Sequence, residues 1–159
     1  MLIDRQDSFD WEAALTADRI STDVKDLLAG AIKGLTANAI RDIGAGKTLY
    51  LHALVTTALA GSAGTSSLIA TLESDDAADL AGSATVHLTS AEFEEDDLPA
   101  GTWIFKGVPL PPGEYQRYLG MRWEVGSEED FTSGKVSAWI SENRYDDRVY
   151  ESGWSTGVN

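Results

Sequence analysis

Apolar and polar residues alternate along much of the middle of the chain. Leu49, Leu51, Ala53 and Val55 share one face of a stretch running from 49 to 57. Leu68, Ala70 and Leu72 do so in 67–73, and Ala84, Val86 and Leu88 in 84–88, with Thr85 and His87 opposite. A short aromatic run follows at 102–106. Leu119, Met121, Trp123 and Val125 then alternate with Gly120, Arg122 and Glu124. Val136, Ala138 and Ile140 alternate with Lys135, Ser137 and Trp139. Period-2 alternation with one apolar face predicts half-buried antiparallel strands. Gly61, Gly64, Gly82, Gly101, Gly126, Gly134 and the Pro109-Leu110-Pro111-Pro112-Gly113 link punctuate them. Strand starts fall about 16 to 18 residues apart, longer than hairpins need, which favours crossings between two sheets in a Greek-key or jelly-roll sandwich.

Residues 20–40 fit two readings. Val24, Leu27, Leu28, Ala31, Ile32 and Leu35 make a helical stripe that Ser21 or Thr22 could cap. Alternatively 20–27 is a strand and 28–40 a loop or short helix, which Gly30 and Gly34 favour, since each weakens a helix by about 1 kcal/mol. The chain divides into an acidic N-terminal arm at 1–18, a β-sandwich body at 19–142 and a polar tail at 143–159.

Charge and composition narrow the function. The 159 residues hold 12 Lys plus Arg against 26 Asp plus Glu, a net charge of −14. That balance argues against nucleic acid and anionic lipid as partners, since both need a cationic face. Cysteine is absent, which excludes disulfides, thiolate metal sites and a cysteine nucleophile. The first residues lack the apolar run of a secretory signal, and the 49–60 stretch is too short to cross a bilayer.

Candidate chemistry is sparse. Gly44-Ala45-Gly46-Lys47-Thr48 resembles the end of a phosphate loop, but Arg41 stands where that motif needs glycine and a strand follows instead of a helix. Acids cluster at 75–79, 92–97 and 128–130 without the spacing of a calcium loop. His52 and His87 both sit on expected strands, and no Gly-x-Ser-x-Gly elbow accompanies them. No cofactor, metal or catalytic residue is therefore expected. Phe9, Trp11, Tyr145, Tyr150 and Trp154 lie in polar terminal segments that cannot form a core alone. Large aromatics in such places anchor interfaces, so these five are the candidate contact residues.

Several stretches resemble a family, the capsid cement (decoration) proteins of short-tailed bacteriophages. They are Arg41-Asp42-Ile43-Gly44-Ala45-Gly46 leading into Leu49-Tyr50-Leu51, then residues 66–72, 115–123 and 134–140, with a looser match at 21–27. The likeness spans roughly 20–142 and rests on ordered strand patterns. It implies a jelly-roll β-sandwich, a homo-oligomer (a dimer above all), the major capsid protein as partner, a place on the outer surface of the virion shell, and no enzymatic activity. Residues 28–40 and the tail after Asn143 are longer than the family pattern. Two other readings stand beside it: a carbohydrate-binding sandwich using Trp103, Tyr118 or Trp139 as a stacking platform, and a hydrolase using His52 or His87 with an acid.

Overall fold

The computed structural model describes residues 5–28, 48–126 and 130–144. Among the described residues ten strands run in order: β1 (Ser8–Ala14), β2 (Arg19–Ile20), β3 (Lys25–Asp26), β4 (Tyr50–Gly61), β5 (Ser67–Asp75), β6 (Thr85–Thr89), β7 (Phe93–Glu94), β8 (Trp103–Pro109), β9 (Tyr118–Val125) and β10 (Phe131–Ser141). Two single-turn 3-10 helices, Arg5–Asp7 and Glu95–Asp97, complete the described elements. Every pairing is antiparallel.

The strands form two sheets. One has the order β1-β10-β4-β8 and the other β2-β9-β5-β6. β3 extends the edge that β2 begins on β9, and β7 extends the edge that β6 begins on β5. With these pairs merged, eight strand positions remain, and the chain crosses between sheets at nearly every connection. That is a jelly-roll sandwich, as the strand spacing and the resemblance both led one to expect. The apolar stripes meet between the sheets. Leu51, Ala53, Val55, Leu68, Ala70, Leu72, Leu119, Met121, Trp123, Val136 and Ala138 are all fully buried there. Each side chain of leucine size enclosed in this way contributes about 1.5–3 kcal/mol. Pro109 sits on edge strand β8, where its missing N–H breaks no ladder bond on the inner side.

The structure corrects three expectations and decides between the two readings of the segment after residue 20. The segment expected as an N-terminal arm contains β1, which pairs with β10 and belongs to the sandwich, so the body begins at Ser8 and not at 19. Two register shifts in β1 destroy its period-2 signature: Phe9 and Asp10 are consecutive and both buried. Of the two readings of 20–27 the extended one holds, as two short strands and not one, and no helix spans 20–28. β2 and β3 bridge to β9, and the Ser21 hydroxyl accepts from the Met121 N–H and donates to the Asp23 carbonyl instead of capping a helix. Residues 29–40 and the Gly-Lys-Thr turn up to Lys47 lie outside the described residues. The 84–88 stripe is broken by a register shift: Leu72 pairs with Leu88 but Glu73 with Val86, which leaves Val86 52% exposed. Finally, the outer face of the four-stranded sheet is not wholly wet. His52 and Trp139 lie on it and are enclosed.

Candidate interaction surface

Several buried polar side chains are occupied with holding the sandwich together. Asp10 is the clearest case. Its carboxylate accepts from Arg19 Nη1 at 3.0 Å, from the Thr22 N–H and hydroxyl at 3.0 and 2.7 Å, and from the Trp123 indole N–H at 2.8 Å. Strand β1 of one sheet is thereby tied to β2 and β9 of the other. On the far side, Glu73 is 4% exposed and accepts from the Thr71 hydroxyl and from Arg122 Nε at 2.8 and 2.9 Å. Arg122 also donates to the Leu80 carbonyl at 2.7 Å, drawing the 76–84 loop across the outer face of β9. Asp75 closes the same loop by accepting from the N–H groups of Asp76, Ala77 and Gly82.

Both histidines are structural bridges in this geometry. His52 Nδ1 accepts from the Gly107 N–H at 3.2 Å, so the ring proton lies on Nε2, facing the Ser141 hydroxyl and the Asn143 carbonyl at 3.1 and 3.2 Å. The ring stacks on Trp139 at 5.2 Å, and the Trp103 edge packs against both. Burial depresses the His52 pKa below 6.5, partly opposed by the Asn143 carbonyl. His87 lies against Tyr115 with ring centroids 4.0 Å apart, and its Nε2 is 2.7 Å from the Ser74 hydroxyl. A serine–histidine contact of this length is the first half of a hydrolytic dyad. Ser74, however, is wholly enclosed, and its oxygen already accepts from the Gln116 N–H at 3.0 Å. No substrate carbonyl can approach it in this conformation. Among the described residues, no three His, Asp or Glu side chains gather as metal ligands.

The candidate contact residues separate. Phe9 is fully buried in the core, packed beneath Lys25, and is not available to a partner. Trp11 is 57% exposed. Tyr145, Tyr150 and Trp154 lie outside the described residues. Trp139, offered above as part of a sugar platform, is 3% exposed; Trp103 packs edge-on against it, and Arg117 covers the Tyr118 ring at 4.8 Å. Trp139 is therefore closed to a sugar ring, while Trp103 and Tyr118 are each half-buried. Among the described residues, Trp11 and Val86 are the large apolar side chains left in solvent.

Trp11 is placed by its neighbours. Asp10 turns inward to its four donor groups, and Glu12 adopts a left-handed φ of 46° that few non-glycine residues accept. The Glu12 N–H donates to the Ser137 hydroxyl at 2.8 Å, which holds the bulge closed. The consequence is an indole held out from an edge strand. The sequence had no signal for this device beyond an exposed aromatic among acids, because a buried aspartate reads like a surface one.

The sheet edges are equally informative. β2 and β3 are two residues each, β7 is two, β1 carries two register shifts, and β8 carries two against β4. Short or bulged edges resist strand addition.

These features define an antiparallel β-sandwich in which Asp10, Glu73 and His52 bind its parts together and in which, among the described residues, Trp11 and Val86 are the exposed large apolar side chains. The chain belongs to the Bbp16 family, whose model matches residues 9–140. That span begins within β1 and ends within β10, so it coincides with the sandwich. None of the curated proteins matches the chain.

Proposed function

We propose that this protein is a capsid cement protein: a non-enzymatic adhesion module that binds the outer surface of an icosahedral phage shell and braces contacts between major capsid subunits. The observation that carries the reading is where the resembling stretches fall. Residues 66–72, 115–123 and 134–140 supply most of β5, β9 and β10, the inner strands of a jelly roll. The same fold is what that resemblance implies. The acidic balance suits an outer position, away from packaged nucleic acid.

Mechanically, a filled shell pushes its subunits apart. A module bound across a seam must lose its contacts before the seam opens. Standard interfaces bury about 1,600 Å², and a dimer gripping two subunits gains about 10²-fold in avidity without any strong single contact. Shells lacking the protein, mixed with the purified chain and sedimented, test the reading. It requires saturable binding and a raised temperature of shell rupture. Failure to bind at micromolar concentration would remove it.

A further inference from the structure

We propose that Trp11 and the groove beside β9 form one docking surface, whose occupant is a shell-protein surface with an apolar pocket rimmed by Lys or Arg side chains. This rests on the cement reading and specifies the partner chemistry. Arg19, which lines a groove of about 460 Å³ together with Asp18, Arg122, Trp123, Glu124 and Val125, also reaches Asp10, the residue before Trp11. Knob and groove therefore share one corner of the sandwich.

The charge at this corner selects the partner. The two guanidiniums are already paired, Arg19 with Asp10 and Arg122 with Glu73. Glu12, Asp18, Asp23 and Glu124 are exposed, and Asp18 and Glu124 line the groove beside the guanidiniums. Asp18 gives one oxygen to the Val125 N–H at 2.6 Å and leaves the other to the groove. The groove is thus lined by carboxylates beside its two guanidiniums, and the exposed indole stands next to Glu12 on β1. A second copy presenting the same acidic corner would be repelled from it. A cationic rim would be drawn to it, with the indole desolvated in the middle as interface anchors are. Because Glu12 is fixed by Ser137 and Asp10 by four donor groups, Trp11 is presented with little ordering left to lose on binding.

The test compares the purified full chain with Trp11→Ala and with Asp18→Lys/Glu124→Lys on shells lacking the protein. Circular dichroism and light scattering verify fold and oligomeric state. The expected results are affinity weakened tenfold or more by Trp11→Ala, and weakened by the charge reversals with a shallower salt dependence than wild type. Wild-type binding that neither variant alters overturns the docking surface while leaving the cement reading intact. Loss of oligomers in Trp11→Ala overturns it too, by making a second copy the occupant. Absence of wild-type binding is the separate result that removes the cement reading itself.

Discussion

The Trp123 indole N–H donates to the Asp10 carboxylate at 2.8 Å across 113 positions of sequence, joining the two sheets near one edge of the sandwich. Asp10 has a fully enclosed side chain, and the same carboxylate neutralises Arg19. Truncating it strands a buried indole donor and the Thr22 N–H and leaves Arg19 unpaired. Asp10→Ala should cost about 3 kcal/mol, read as a lowered urea midpoint with an unchanged slope. Asp10→Asn should also destabilise, because one oxygen becomes an NH₂ group facing N–H donors. A loss below about 1 kcal/mol for the alanine variant would show that the hub is not holding the sheets.

Gly134 separates steric from conformational cost. Its φ is +134°, and an added Cβ would stand 2.8 Å from Leu59 Cα and 2.9 Å from the Ala58 carbonyl oxygen, both backbone atoms. Gly134→Ala should therefore cost about 2–4 kcal/mol. Gly64 and Gly101 also have positive φ, at 73° and 95°, but a Cβ there meets nothing within 4 Å. Alanine at either should cost about 1 kcal/mol. Equal losses at all three positions, in thermal unfolding, would show that the close approach of β10 to β4 is not real.

The fold was legible wherever a strand kept one face wet. β9 is the best example, with Leu119, Met121, Trp123 and Val125 buried and Glu124 exposed, in the bounds that its alternation predicts. It was illegible where a bulge shifted the phase. Phe9 and Asp10 point the same way, so β1 reads as a polar arm; Val86 and Leu88 point opposite ways, so a false stripe appears in β6. β2 and β3 are too short to carry any period. At the candidate surface, Trp11 was legible as an aromatic in polar company. The inward aspartate that places it was not, since its donors lie 9, 12 and 113 residues away and nothing in the sequence marks them as its partners.

Phe9 and Trp11, two residues apart, should respond oppositely to truncation. Phe9 is fully buried and Trp11 is 57% exposed. Phe9→Ala should destabilise by about 3–5 kcal/mol, whereas Trp11→Ala should change stability by no more than about 0.5 kcal/mol. The two denaturation curves decide this directly. A Trp11→Ala loss near that of Phe9→Ala would mean that the indole is a packing residue and that its exposure misleads.

Acid should weaken the fold before the carboxylates titrate. Burial lowers the pKa of both His52 and His87 below 6.5. The unfolded chain then binds protons, as pH falls below about 6.5, that the folded chain refuses. Stability is fully present above that pH and is lost as pH falls toward the folded values, by up to about 1.4 kcal/mol per pH unit for each histidine. At His52 the physical reason is specific. A proton on Nδ1 would face the Gly107 N–H, donor against donor, and charge a ring stacked on Trp139. Urea unfolding between pH 7.5 and 5.5 should show this slope, and His52→Gln should remove about one proton's share of it. The imidazole C–H resonance of His52 should shift with a midpoint below 6.5. A midpoint at or above 6.5 would mean that the ring accepts its second proton in place, and that the Gly107 contact does not hold the neutral form.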